Sequence, residues 1–145
     1  MKNITTIALT ITASILLNSL PSKAEVDLFI PTEEQFIQYE SLLSRFFQNE
    51  EDDAVYTRKS RGQIRRDGMI ACTMFSQYTI EEYLAVRFNS INRETSSLEE
   101  RKAQYAYLMY GTAASVDAMC SKHRESLLKL VQRVKEHGFN HYLLD

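Results

Sequence analysis

Two cysteines, Cys72 and Cys120, most constrain how this chain can fold, because each has only the other as a partner within the chain. Each lies on the apolar side of a predicted helix, so they can face each other across a core. A disulfide between them would close a 49-residue loop, worth about 4 kcal/mol on the chain-entropy model. The alternatives are two buried free thiols or a redox site, although the sequence contains no Cys-x-x-Cys motif.

The first 24 residues have the parts of a secretory signal peptide. Lys2 precedes an apolar run over 4–17, and Pro21 is followed by Ser22-Lys23-Ala24, which places small residues at the −3 and −1 positions of a cleavage site. A run of this length is shorter than the roughly 20 residues that a spanning helix needs. An uncleaved anchor and a buried first helix are the competing interpretations. Cleavage before Glu25 would expose the cysteines to an oxidising compartment, which favours the disulfide.

Residues 25–145 are long enough for one domain with its own core. Removing Lys2 and Lys23 with the signal peptide lowers Lys plus Arg from 17 to 15, against 19 Asp plus Glu. The resulting charge of −4 disfavours general nucleic-acid binding. No later stretch is apolar enough to act as a transmembrane anchor after cleavage.

Helix signals recur along the mature chain. Capping boxes begin at Thr32, Thr79 and Ser97, and each is followed by apolar residues at three- and four-residue steps. The predicted stripes are Ile80, Leu84, Phe88 and Ile91 after Thr79, and Leu98, Tyr105, Leu108, Thr112, Val116, Met119 and Cys120 after Ser97. We predict four helical segments. The first ends near Asn49, the second covers about 60–76, the third begins at 80, and the fourth runs from 98 to 137 with a break near 121–126. The fold class is therefore all-α, a four- to five-helix bundle held by one disulfide. Gly138 is a predicted helix stop, and the tail over 139–144 is predicted to fold back onto the bundle.

Two surface clusters have a functional and a structural interpretation. Five cations in nine residues form a candidate anion patch: Arg58, Lys59, Arg61, Arg65 and Arg66. The structural interpretation, which we favour, is a solvated helix face that offsets the acidic block over 50–53. The second cluster is Tyr105, Tyr107 and Tyr110, which is either a ligand or partner surface or part of the ordinary packing. We favour the packing interpretation, with Tyr105 in the core and Tyr107 at the rim.

No constellation of catalytic or metal-binding residues is apparent. His137 and His141 are four residues apart, but Gly138 and Asn140 between them indicate that the helix has already ended. The carboxylate pairs at 33/34, 81/82 and 99/100 all occupy first helical turns, where the helix dipole explains them. His123 lies on an apolar stripe near Cys120 and is expected to be a satisfied buried or boundary histidine and not a base. We expect neither enzyme activity nor a cofactor.

Two resemblances follow from these segments. DGMIACTMFSQYTIEEYLA followed by YGTAASVDAMC resembles the small exported two-cysteine helical domain of unknown function common in mycobacteria, over about residues 33–121. That resemblance implies no activity. VDAMCSKHRESLLKLVQRVK is similar to the stretch around the second cysteine of the periplasmic acid-stress chaperones, which are also small, helical and held by one disulfide.

The leading functional hypothesis is an exported, non-enzymatic helical binding or structural module of the cell envelope or secreted space. Its ligand is not identified, and a protein partner and the oligomeric state are left open. The alternative is a periplasmic acid-stress chaperone.

Overall fold

The computed structural model of the protein describes residues 27–137. Within this range the chain is all-α, with six α-helices and no strand. The helices are α1 (Glu33–Phe47), α2 (Ala54–Arg58), α3 (Arg61–Phe75), α4 (Ile80–Glu94), α5 (Leu98–Ala118) and α6 (Arg124–His137). The predicted signal peptide, the stop at Gly138 and the tail over 139–144 lie outside the described residues. None of the helices over 27–137 has the length and apolarity that crossing a membrane requires.

The helix starts follow the predicted capping chemistry. Thr32 and Thr79 accept hydrogen bonds from the backbone N–H groups of Gln35 and Glu82, whose side chains bond back to the cap residues. Ser60 and Gln63 form a third complete capping box, which sequence analysis did not identify. Such boxes satisfy donors that the first helical turn leaves free.

The long helical pattern from residue 98 breaks as predicted. α5 ends at Ala118, and a short 3-10 turn over Ser121–His123 leads into α6. The sequence did not predict the one-turn helix α2, which raises the number of helices to six.

α5 lies at the centre of the bundle and contacts each of the other five helices. It consequently buries residues on several sides, among them Tyr107, Ala114, Ser115 and Val116. A helix with a single neighbour would bury one stripe alone. The predicted stripe of α4 is confirmed, since Ile80, Leu84, Phe88 and Ile91 are all buried.

Cys72 of α3 and Cys120, just beyond α5, form the predicted disulfide, with their Cα atoms 5.8 Å apart. That separation is usual for a disulfide. Both residues are buried, at 3% and 5% exposed. The bond therefore ties α3 to the end of the central helix inside the core.

Gly68 of α3 lies against closely packed side chains. A β-carbon there would lie 2.6 Å from both Tyr39 Cζ and Met119 Cε. The approaching atoms are side chains, the Tyr39 ring of α1 and the methyl group of Met119, which follows α5.

Candidate ligand-binding cavity

A cavity of about 380 Å³ lies among helices α2 to α5, with Tyr39 of α1 contributing to its wall. Its volume falls at the lower end of the roughly 300–1,000 Å³ typical of small-molecule sites. Apolar side chains from four helices form part of the lining: Val55, Ile70, Ala71, Ile91 and Leu108. The remainder of the lining is phenolic or charged, apart from Gln104, Gly111 and Thr112.

Asp67 lies at the centre of one polar group in the wall. The Tyr107 hydroxyl donates a hydrogen bond to Asp67 Oδ2 over 2.8 Å, and Lys59 Nζ lies 2.9 Å from the same oxygen. Lys59 Nζ also lies 4.9 Å from the centroid of the Tyr107 ring, within cation–π range. These contacts join α2, α3 and α5. Burial, together with the Asp67 charge, raises the pKa of Tyr107 well above its usual range, so the phenol stays protonated and donating.

A second ion pair closes the wall beside it. Arg58 Nη2 lies 2.6 Å from Glu100 Oε1, and this hydrogen bond lowers the pKa of Glu100.

The same contact explains why the capping box at Ser97 is incomplete. Ser97 accepts from the Glu100 N–H, but the Glu100 side chain is bonded to Arg58 and Gln104. The reciprocal half of the predicted capping box at Ser97 is therefore replaced by a contact between helices.

Two polar groups in the cavity wall have no hydrogen-bond partner among residues 27–137. They are Arg87 Nε of α4 and Thr112 Oγ1 of α5, both buried atoms. The Thr112 residue is only 2% exposed. Buried polar atoms are nearly always hydrogen-bonded in folded proteins, so two such atoms in one cavity call for an explanation.

Two further tyrosines line the cavity as neutral phenols. Burial is the main reason that the pKa values of Tyr39 and Tyr83 are raised, and Asp67 raises both further. Arg87 acts on Tyr83 in the opposite direction, which places its charge close to that phenol. The wall therefore combines neutral hydroxyl groups, two internal ion pairs and one further guanidinium.

The structure divides the five cations of the candidate anion patch among different surroundings. Arg58 and Lys59 line the cavity. Arg61 and Arg65 both pair with Glu40 of α1, at 2.6 and 2.8 Å. Arg66 is exposed, and no carboxylate of the described residues lies within ion-pair distance of it.

The acidic block over 50–53 is not the ion-pair partner of these cations in the described structure. Their carboxylate partners are Glu33, Glu40, Asp67 and Glu100. Glu50 instead accepts a hydrogen bond of 2.6 Å from the Tyr110 hydroxyl. Arg58, Lys59, Arg61 and Arg65 therefore stabilise contacts between helices. The order of basic and acidic blocks along the sequence did not indicate these contacts.

The expected roles of two tyrosines were wrong. Tyr107 is buried at 9% exposed, whereas Tyr105 is only partly buried and its hydroxyl donates to Asn92 at the surface. Tyr107 faces the cavity between α5 and α3, and Tyr105 packs at the margin against Phe88 of α4. Because α5 has neighbours on several sides, its apolar pattern did not identify the side that is most deeply buried.

His123 lies at the boundary of the core as predicted, but its buried Nε2 atom has no hydrogen-bond partner among residues 27–137, so the expectation of a satisfied side chain is wrong. His123 is partly buried, its ring contacts Phe75 with centroids 5.8 Å apart, and burial lowers its pKa. His141 lies outside the described residues, and residues 27–137 contain no group of three or more His, Cys, Asp or Glu side chains arranged to hold a metal ion.

Only part of the cavity wall could be predicted from the sequence. Thr112 was placed on the buried stripe of α5, and it is buried as expected. Arg87 was not singled out, although it follows Tyr83 by one helical turn and precedes Ile91 by another, beside the apolar stripe of α4. The signal in the sequence that could have identified Arg87 is a single cation at the edge of an apolar stripe.

Comparison with protein-family models, curated proteins and solved structures finds no match to this chain.

Proposed function

We propose that the protein is an exported, non-enzymatic helical binding module of the cell envelope or secreted space, and that the cavity among α2 to α5 is its binding site. The observation that carries the proposal is the convergence of charged, phenolic and unpartnered hydroxyl groups on one half-enclosed space of about 380 Å³. Largely apolar pockets with a few convergent polar groups are the usual form of a small-molecule site.

A purely structural module would have little reason to keep this space. Protein interiors pack to high density, whereas α2 to α5 leave a half-open space of about 380 Å³ between them. An unpartnered buried hydroxyl costs about 1–3 kcal/mol. A ligand in this space that bonds to Thr112 would offset that cost.

The chemistry of the lining favours binding over catalysis. Asp67 is occupied by Lys59 and Tyr107, and Glu100 by Arg58. The phenols of Tyr39, Tyr83 and Tyr107 have raised pKa values and stay protonated near neutral pH. A general base or an activated nucleophile requires a group able to accept or lose a proton near the working pH.

Binding is tested by two-dimensional NMR of the mature protein against a library of small fragments. We expect shift changes centred on residues of the cavity wall. Gly111→Leu should abolish them, because Gly111 lines the cavity and a β-carbon there meets no atom closer than Tyr39 Oη at 3.8 Å. Gly62→Leu is the matched control, since no atom lies within 4 Å of a β-carbon at that position. A library without any hit at the cavity would contradict the proposal.

Export has a separate test. The intact mass of the protein recovered from outside the cytoplasm should correspond to a chain that begins at Glu25, as the signal at residues 1–24 requires. A product that remains in the cytoplasm and keeps residues 1–24 would contradict export.

The acid-stress chaperone is the second candidate, and one cluster favours it. Glu40 and Glu33 of α1 bind Arg61 and Arg65 of α3, and all these contacts require ionised carboxylates. Protonation would weaken the α1–α3 contact and expose apolar surface. The discriminating assay follows the aggregation of a client protein at about pH 2–3, where carboxylates with pKa values near 4 are protonated. Protection there supports the chaperone, and its absence supports a binding role at neutral pH.

A further inference from the structure

We propose that the ligand of the cavity is a small organic monoanion, a carboxylate with an apolar body, and that Arg87 and Thr112 bind its carboxylate group. This inference rests on the proposed binding function and names the chemical class that the site would select.

The charges of the wall support one negative charge on the ligand. Five charged side chains line the cavity: Arg58, Lys59, Asp67, Arg87 and Glu100. Two ion pairs, Arg58–Glu100 and Lys59–Asp67, account for four of them. Arg87 remains, and no carboxylate of residues 27–137 pairs with it. The lining therefore has a surplus of one positive charge, located on α4.

The geometry of the guanidinium suits a carboxylate. Arginine stays charged and offers its N–H donors as a planar fork that two carboxylate oxygens match. Arg87 Nε is buried and has no acceptor in the described structure. A donor that has been removed from water in this way gains most from an anionic acceptor in the same cavity.

The Thr112 hydroxyl provides an independent second contact. Helical serine and threonine side chains commonly bond the carbonyl four residues earlier, as Ser115 does to Gly111 O at 2.7 Å and Thr73 does to Met69 O at 2.9 Å. Thr112 Oγ1 makes no such bond and has no partner in the described residues. Thr112 lines the same cavity as Arg87 but is only 2% exposed, so a ligand reaches its hydroxyl only when the side chain rotates or the wall shifts.

The remainder of the wall selects an apolar body. Val55, Ile70, Ala71, Ile91 and Leu108 supply aliphatic surface, and Tyr39 and Tyr83 supply aromatic surface. The volume of about 380 Å³ suits a small ligand. A single surplus cation matches a carboxylate better than the dianionic form of phosphate, which would leave one charge uncompensated in a half-enclosed space.

The test is isothermal titration calorimetry of the mature protein at about pH 7. The probes are benzoate, phenylacetate and hexanoate, with benzyl alcohol and benzamide as neutral analogues, benzylamine as a cation and inorganic sulfate as a dianionic comparator. We expect a carboxylate to bind about ten- to hundredfold more tightly than its neutral analogue, as a charge-assisted hydrogen bond would give.

Two substitutions assign the contacts. Arg87→Met should weaken carboxylate binding about ten- to hundredfold, and Thr112→Val about three- to tenfold. Arg87→Lys should fall between the wild type and Arg87→Met, because it keeps the charge and loses the fork. Arg93→Met is the matched control, since Arg93 is an exposed arginine of the same helix outside the cavity lining, and it should leave affinity unchanged.

The outcomes separate the two proposals. If a neutral compound binds the cavity as tightly as its carboxylate, or if no carboxylate binds while neutral fragments do, the monoanion inference is wrong and the binding function stands. If neither the probes nor the fragment library bind the cavity, the binding function itself fails. Should Arg87→Met not fold, the comparison of carboxylate with neutral analogue in the wild type, and Thr112→Val, still decide the inference.

Discussion

A β-carbon at Gly68 would lie 2.6 Å from Cζ of Tyr39, so the missing side chain on α3 allows the tyrosine of α1 to enter the core. Tyr39 is one of the largest fully buried side chains, at 1% exposed. Its ring reaches from the α1–α3 contact to the wall of the cavity. One glycine therefore determines both the packing of two helices and the shape of the candidate site.

Substitution of this glycine has a matched comparison within the chain. Gly68→Ala should lower the free energy of unfolding by about 1–3 kcal/mol, because the buried Tyr39 ring cannot move away as the Met119 methyl can. Gly111→Ala should raise it by up to about 1 kcal/mol, since its β-carbon makes only an ordinary contact and alanine favours the helix. Urea denaturation measures both. A stabilised Gly68→Ala would contradict the packing described here.

The disulfide should contribute substantially to stability. Replacing Cys72 and Cys120 together by alanine removes a cross-link over 48 positions and should lower the free energy of unfolding by about 4 kcal/mol. Denaturant titrations of the oxidised wild type and the double variant provide the measurement. As a control, denatured but unreduced wild-type protein should show no reactive thiol. Two reactive thiols per chain would exclude the bond.

Stability should fall on acidification through the α1–α3 cluster. Hydrogen bonds from Arg61 and Arg65 hold the pKa of Glu40 at about 2, below its ordinary value of 4.5. A carboxylate with a lowered pKa in the folded protein stabilises it fully above about 4.5, and that contribution is lost as the pH falls toward 2.

Glu40→Gln tests this contribution. At neutral pH the substitution should lower the free energy of unfolding by only about 1 kcal/mol, because the contacts of Glu40 are partly solvated. Between pH 4.5 and 2 its free energy of unfolding should fall less steeply than that of the wild type. Glu34→Gln is the matched control, an exposed carboxylate in the same helix without an ion pair among the described residues. Identical pH profiles for wild type and Glu40→Gln would contradict the assignment.

The buried tyrosines predict a loss of stability at alkaline pH. Burial raises the pKa values of Tyr39, Tyr83 and Tyr107 above the ordinary value of 10.0. A raised pKa in the folded state stabilises the protein below pH 10 and loses that contribution as the pH rises further.

Spectrophotometric titration of tyrosinate should show fewer than the eight tyrosines of the chain ionising while the fold persists. The remaining tyrosines should ionise only as the protein unfolds, and circular dichroism monitors this unfolding. Tyr107→Phe should remove one tyrosine from this late group. Complete ionisation before any loss of helix signal would show that the three phenols are not buried.

The sequence alone was sufficient for much of the framework. Thr32, Thr79 and Ser97 marked helix starts because capping depends on residues three positions apart. The stripe of α4 was confirmed because that helix buries one face. Cys72 and Cys120 were each other's only candidate partner, so their pairing required only that their helices meet.

The tertiary structure decided the rest. Leu98, on the predicted stripe, is 63% exposed. Tyr107 is buried and Tyr105 lies at the margin, the reverse of the prediction, because the central helix has neighbours on several sides. The partners of Arg58, Arg61 and Arg65 lie 21 to 42 positions away, beyond any local pattern. The cavity depends on four helices and on Tyr39 of a fifth, whose side chains meet only when the chain is folded. Local spacing determines where helices begin and which residues prefer burial, whereas the contacts between distant residues determine what the bundle encloses.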